Sequence, residues 1–317
     1  MQIDQIRREA IEAVLAACKI TMAVQKELVP AKITMQKADR SPVSIADLAA
    51  QAIISLKLGN EIKLVAEESS EILQTNVELK HKVVEYVQTV DQKLTENEIM
   101  QAIDRGNHQG GNGLFWVLDP IDGTKGFLRH QQYAICLALI DQGEIILSVL
   151  GCPNLKISDD ETGGLFIAQK DCGAYMRSLN NKVETKIKVS EVADSRQATF
   201  VESVESGHAN HGLQQDVAKN LGITRKSVRL DSQVKFAAIA KGDADIYLRF
   251  SPTKGYQQKI WDIAPGVLLV EEAGGKTSDT NGDPLDFTRG RMIPTASLFV
   301  TNGKLHEVVL DAINKTR

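Results

Sequence analysis

Residues 116 to 129 read Trp-Val-Leu-Asp-Pro-Ile-Asp-Gly-Thr-Lys-Gly-Phe-Leu-Arg. Trp116, Val117 and Leu118 predict a buried strand, Asp119 and Asp122 a tight turn at its end, and Gly123 to Gly126 the start of a helix. Asp-Pro and Asp-Gly are common turn formers, so the bare pattern would describe an ordinary surface turn. The context argues otherwise, because carboxylates at the end of an apolar strand are costly to bury without compensation. A divalent cation supplies that compensation, and free N–H groups opening a helix favour an anion. The layout therefore suits a metal-assisted phosphate site. Thr124 has two readings, a simple helix cap or a hydroxyl that orients an attacking water.

Outward from this stretch, strands dominate: Tyr133 to Ile140, Glu144 to Cys152, Gly164 to Gln169 and Gly173 to Arg177, joined by turn signals such as Asp141-Gln142-Gly143. Short turns between neighbours favour an antiparallel sheet. On the N-terminal side, Ile3, Ile6, Ala10, Ala13, Val14 and Ala17 recur at helical spacing among charges, which describes an amphipathic helix and not a secretory signal. Ser41-Pro42-Val43-Ser44 is extended, Ile45 to Asn60 is helical with Asp47 in its first turn, and Lys63 to Ala66 is a short strand leading into Glu67-Glu68. Residues 71 to 112 are polar and weakly patterned. Beyond residue 194 the rhythm becomes alternating: strand near Thr199 to Val204, helix near Gln214 to Leu221, strand near Val228 to Leu230, helix near Gln233 to Lys241, strand near Ile246 to Phe250. Ile260 to Gly275 reads as a helix capped by Asp262, with Pro265 in its first turn and Gly274-Gly275 at its end.

Composition limits the function classes. A chain of 317 residues with 43% hydrophobic content can bury a sizeable core and has room for about two domains. A net charge of -4 gives no general basic field, which excludes a nucleic-acid polymer or an anionic membrane as the main partner. No apolar run approaches the ~20 residues needed to span a bilayer. Cys18, Cys136, Cys152 and Cys172 are scattered, with no zinc spacing, and read as reduced thiols of a cytoplasmic protein, disulfides being the weaker alternative.

Taken singly, the remaining acidic and basic candidates have bland readings. Glu67-Glu68 could be solvated surface, Asp47 a helix-terminal charge, and Asp262 a cap. Lys235 and Arg249 could face solvent, Ser232 could cap a helix, and His208 could sit in a loop. In combination they mean more. Glu67-Glu68-Ser69, Asp119-Pro120-Ile121-Asp122-Gly123-Thr124 and Trp261-Asp262 with Gly274-Gly275 resemble the three signature blocks of the lithium-sensitive, magnesium-dependent inositol monophosphatase superfamily. Ser41-Pro42-Val43 with Asp47, Asp122 through Arg129, Asp231-Ser232-Gln233-Val234-Lys235 and Tyr247-Leu248-Arg249 resemble its 3'(2'),5'-bisphosphate nucleotidase branch, in family order over most of residues 40 to 290.

The resemblance implies an α/β fold with an α+β N-terminal part, a layered α-β-α-β-α sandwich of the inositol monophosphatase/fructose-1,6-bisphosphatase type. Residues 1 to 193 would form helices on an antiparallel sheet, and residues 194 to 317 a second α/β domain, with the site between them. It implies that Glu67, Asp119, Asp122, Asp262 and the Ile121 carbonyl hold Mg²⁺, two or three ions per site, while Asp47 and Thr124 position and deprotonate the attacking water. Oxygen ligands of this kind suit magnesium over zinc. Gly123, Thr124, His208, Ser232, Lys235 and Arg249 would hold the substrate, a small bisphosphorylated nucleotide, and the chain would act as a monomer. The implied reaction removes the 3'-phosphate of adenosine 3',5'-bisphosphate, with 3'-phosphoadenylyl sulfate as a second substrate. An inositol monophosphatase or inositol polyphosphate 1-phosphatase is the nearest alternative, and a non-catalytic nucleotide sensor is one of another class. Ile263 and Pro265 stand where the nucleotidases more often have His and Ala, and Ser69 stands where an acid is frequent.

Overall fold

Alternating side-chain direction along each strand decides which layer a residue packs against. The computed structural model describes residues 3–27, 35–36, 42–43, 45–204, 211–251 and 256–316. In the first half its elements are α1 (Ile3–Glu27), β1 (Met35–Gln36), β2 (Pro42–Val43), α2 (Ile45–Leu58), β3 (Lys63–Ala66), α3 (Glu71–Thr75), α4 (Val77–Gln88), α5 (Glu96–Asp104), β4 (Leu114–Asp122), α6 (Thr124–Leu128), β5 (Ala134–Asp141), β6 (Glu144–Lys156), β7 (Thr162–Gln169), β8 (Gly173–Ser178) and β9 (Thr185–Ile187). The second half contains β10 (Phe200–Glu202), α7 (His211–Asn220), β11 (Val228–Arg229), α8 (Val234–Ala240), β12 (Ile246–Arg249), β13 (Gln258–Lys259), α9 (Ala264–Glu272), β14 (Lys276–Asp279), β15 (Met292–Ile293), β16 (Leu298–Thr301) and α10 (His306–Thr316).

One sheet runs β3-β4-β5-β6-β7-β8-β9 and a second runs β11-β10-β12-β16-β14. Trp116, Leu118, Ile135, Leu137, Leu139, Leu165 and Ile167 pack with α1 and α2 on one face of the first sheet. Their chain neighbours Phe115, Val117, Cys136, Ala138, Phe166 and Ala168 point the other way, into a cluster shared with α8 and α9. Tyr247, Leu298 and Val300 of the second sheet join that same cluster, while Ile246, Leu248 and Phe299 face α7 and α10. The result is the expected α-β-α-β-α sandwich, with α8 and α9 as the central helical layer. Sheet membership changes between Ile187 and Phe200, and the central layer packs against both sheets.

Three local expectations need correction. The first sheet is not wholly antiparallel: β3 pairs parallel with β4, with Leu64 opposite Trp116 and Ala66 opposite Leu118. Parallel pairing needs a long crossover, and residues 71 to 112 supply it as α3, α4 and α5. The weak pattern there concealed a capping box, Thr95 and Glu98, that starts α5. Second, β4 does not stop at Leu118. It stays paired to β5 through Asp122, with Asp119 opposite Cys136 and Asp122 opposite Ala134, so the acids lie on a β-bulge and not in a free turn. Third, the helix expected to be capped by Asp262 begins at Ala264, after a 3-10 turn at Ile260–Asp262, and no side-chain cap is made there. Among the described residues no helix is long and apolar enough to cross a membrane, and Cys18, Cys136, Cys152 and Cys172 are free thiols.

Gly266 lets α9 close on α8, since a Cβ there would stand 2.4 Å from Cγ of Phe236, which is itself buried. Ala adds about 1 kcal/mol of helix propensity, whereas overpacking a closed core costs about 1–3 kcal/mol. With three Phe236 ring atoms within 2.7 Å of that Cβ, the cost falls toward the upper end, and Gly266→Ala is expected to lower stability by about 1–2 kcal/mol in urea unfolding. Unchanged stability would show that the central layer yields.

Candidate active site

The parallel register of β3 and β4 ends both strands at one edge. Glu67 follows Ala66, Asp119 follows Leu118, and those two precursors are directly opposed. Helix α2 adds Asp47, buried in its first turn. One turn further, Gln51 holds the strand end in place: its amide donates to Glu68 O at 2.7 Å and its oxygen accepts from Glu68 N at 2.9 Å. The 3-10 turn carrying Asp262 packs against β4 and β5 from the opposite side.

Asp119 lies at the centre of these acids. It is buried, and among the described residues its Oδ1 has no hydrogen-bond partner. Burial pushes its carboxyl well above the usual range, and Glu67, Asp122, Asp262 and Asp47 push it further by like charge. Asp122 is also raised, by burial first, against the pull of Lys235 and Arg249. Its Oδ2 accepts from Gln233 N at 2.6 Å. Burial likewise raises Asp262 to about 7 although Arg249 opposes the shift; Arg249 Nη2 donates to its Oδ2 at 3.1 Å.

The basic residues come from the second half. Lys235 is 4% exposed, so the solvent-facing reading fails. Its Nζ lies 5.2 Å from the centre of the Tyr247 ring, and burial pulls its ammonium down to about 8 despite the nearby Asp122. Ser232 has a positive φ of 65°, a conformation few side chains adopt, and packs on Gly123. Gly123 has φ 90°, and a Cβ on it would meet Ser232 Cβ at 2.9 Å. Gly123, not Thr124, occupies the cap of the short helix α6, so the capping reading of Thr124 is removed. The Thr124 hydroxyl donates instead to Ile121 O at a long 3.4 Å.

The structure therefore brings Asp47, Glu67, Asp119, Ile121, Asp122, Gly123, Thr124, Ser232, Lys235, Arg249 and Asp262 to one junction between the sheets. His208 lies outside the described residues. Sequence reasoning missed three residues that hold the backbone beside the acids. Gln51 is one. Gln233, 1% exposed, donates through its side chain to Trp261 O at 2.8 Å and accepts from Gly266 N at 2.8 Å, while its own N–H reaches Asp122. Arg291 reaches the carbonyls beside Glu67. Gln233 belongs to the Asp231–Lys235 stretch, but nothing in spacing shows that it bridges.

The donor set fits a hard divalent cation: four carboxylates and a carbonyl, with an orphaned buried oxygen at the centre. Among the described residues no group of three or more His, Cys, Asp or Glu is already closed around an ion position. Two of the acids are instead engaged by protein donors, Asp122 by Gln233 N and Asp262 by Arg249.

Because Asp119 and Asp262 bind protons more tightly in the folded state, cation-free stability present at acid pH is lost as pH rises from about 4, the ordinary carboxylate value, toward and beyond 7. In EDTA at about pH 8, Asp119→Asn is expected to melt above the unaltered protein and to lose less stability with rising pH. A lower melting temperature would mean that the charge is already compensated.

A profile of the inositol monophosphatase family matches residues 2–316. The chain is 41% identical over 331 residues to a 3'(2'),5'-bisphosphate nucleotidase of Oryza sativa, covering 96% of this chain and 92% of the relative. It is 43% identical to one of Schizosaccharomyces pombe, covering 92% and 90%. An inositol monophosphatase structure from Anabaena (Nostoc) sp. PCC 7120 superposes with a TM-score of 0.65 at 20% identity, over 99% of this chain and 97% of that one, a likeness of fold.

Proposed function

The chain belongs to the inositol monophosphatase family, and from that premise we propose that it is a magnesium-dependent 3'(2'),5'-bisphosphate nucleotidase. It hydrolyses the 3'-phosphate of adenosine 3',5'-bisphosphate to AMP and phosphate, and acts on 3'-phosphoadenylyl sulfate in the same way. The observation that carries this reading is the juxtaposition of two anion-handling regions. A cluster of acids around the orphaned Asp119 oxygen adjoins a basic pair, the buried Lys235 and the part-buried Arg249. A substrate with a phosphate at each end of a sugar matches that pairing. A single phosphate would leave one region without a charge to meet. The relatives named as bisphosphate nucleotidases support the same choice.

Bound Mg²⁺ would supply charge neutralisation on the phosphate and its leaving oxygen and acidify the attacking water. Glu67, Asp119, Asp122, Asp262 and the Ile121 carbonyl would hold it. Asp47 accepts a proton from the attacking water, and the Thr124 hydroxyl, already directed at the Ile121 carbonyl, orients that water. Gly123 and Ser232, packed together, form the floor beneath the sugar phosphate. Lys235 and Arg249 take the 5'-phosphate, with Arg249 able to make a bidentate contact. His208 belongs to the same proposal as a nucleoside contact. Residues 1–193 and 194–317 act as the two parts that close around the substrate, in a monomer. The exposed free thiol of Cys172 suits a reducing compartment, so the cytoplasm is taken as the location.

Phosphate release from adenosine 3',5'-bisphosphate, with and without Mg²⁺, tests the proposal against inositol 1-phosphate measured in parallel. A kcat/KM on inositol 1-phosphate equal to or above that on the nucleotide would overturn the substrate choice. Metal-independent release would overturn the chemistry. Asp122→Asn is expected to cut kcat by about a hundredfold or more while keeping the fold. Arg249→Ala removes a charged hydrogen bond to the 5'-phosphate, so KM for the bisphosphate should rise about tenfold. Its effect on adenosine 3'-monophosphate should be smaller. Equal effects on both substrates would place Arg249 elsewhere in the reaction.

A further inference from the structure

We propose that Arg291 is a positioning residue that fixes the spacing between the Glu67 and Asp262 edges of the acidic centre, and through that spacing the affinity for a divalent cation. The inference deepens the function proposed above and rests on it. Arg291 precedes β15, which pairs with β13, Lys259 lying opposite Met292. Its own carbonyl accepts from Ile260 N at 3.0 Å, so its backbone is fixed to the turn that carries Asp262. Its guanidinium lies over the Trp261 ring, 4.7 Å from the ring centre.

The other end of the side chain crosses to the first sheet. Nη1 donates to Gly106 O at 3.0 Å and to His108 O at 2.9 Å, and Nη2 donates to Ala66 O at 2.5 Å. Those carbonyls belong to one platform, because Ala66 N donates to Gly106 O and His108 N donates to Leu64 O. Ala66 is the residue before Glu67. A single planar fork thus joins segments 225 positions apart in sequence, touching the residue beside one acid and stacking on the residue beside another. Only guanidinium geometry serves carbonyls in this arrangement while keeping a flat face for an indole; an ammonium is a point charge on a flexible stem. Burial pulls the Arg291 guanidinium down, and the Glu67 charge opposes that pull. Arg291 touches neither the reacting atoms nor the orphaned oxygen of Asp119, so it acts through its neighbours, as groups behind metal ligands commonly do.

The test is binding of Mn²⁺ alone to the full chain without nucleotide, followed by the electron paramagnetic resonance of the free ion. Arg291→Ala is expected to weaken Mn²⁺ binding about tenfold or more. Arg291→Lys, which keeps the charge, should remain weakened. Millimolar guanidinium should restore binding to the Ala variant and not to the Lys variant, a response that a general loss of structure would not give. Should the Ala variant fail to fold, the Lys variant carries the comparison, with thermal unfolding in EDTA as its control. Unaltered affinity in a folded Arg291 variant, alongside lost affinity in Asp119→Asn, would overturn the positioning role and leave the cation site standing. Weakening that guanidinium does not relieve, matched by an equal loss of stability in EDTA, would also overturn it. Absence of Mn²⁺ binding to the unaltered protein would overturn both this role and the site on which it rests.

Discussion

Gathering like charges where little water reaches them is the constraint around which this molecule is organised. Asp119 is buried with an oxygen that no group among the described residues satisfies, and four further acids add to the effect of burial in raising its proton affinity. Were these carboxylates all ionised at about 4–5 Å, they would repel by roughly a few kcal/mol per pair at an effective dielectric near 20. That cost is comparable to a large part of a domain's net stability, about 5–15 kcal/mol. The arrangement can persist only on a scaffold that does not depend on the site for its own cohesion. The layered core meets that condition: the faces of both sheets are filled by continuous apolar clusters that contain none of the acids.

The acids come together because of strand direction. Were β3 antiparallel to β4, Glu67 and Asp119 would emerge at opposite ends of the pair. The parallel register sets them side by side, and the crossover through α3, α4 and α5 makes that register possible. The bulge then keeps Asp119 and Asp122 attached to β5 while adding the extra residue that turns the chain toward Gly123. Helix α1 supports the same corner from behind, through Gln25 donating to Phe127 O at 2.8 Å and Tyr133 donating to Thr21 at 3.0 Å.

The two sheets meet the site with opposite charge. Acids arrive mainly from the first sheet and α2, whereas Lys235 and Arg249 arrive from α8 and β12. Gln233 belongs to both sides, touching Asp122 with its backbone and the Asp262 segment with its side chain. A displacement of the central layer would therefore alter the acid spacing and the basic pair together. The Ser148 hydroxyl, donating to Pro265 O at 2.6 Å, ties the start of α9 to β6 and limits such displacement.

Much of this was legible in the residues themselves. Apolar runs bounded by turn signals located most strands, and period-3.6 patterns most of the longer helices, because both are local properties of the chain. The three acidic blocks and the basic positions were readable as residue types suited to hard cations and phosphate. Other features were not. The parallel sense of β3, the bulge after Asp119 and the start of α9 beyond Asp262 depend on which segment lies alongside, and local pattern carries no record of that. The same holds for Gln51, Gln233 and Arg291, polar residues whose hydrogen bonds reach segments distant in sequence. Sequence determined the chemistry available and the period of each element. Tertiary structure alone decided which acids share a site and how far apart they stand, because charge repulsion and hydrogen bonding act through space and not along the chain.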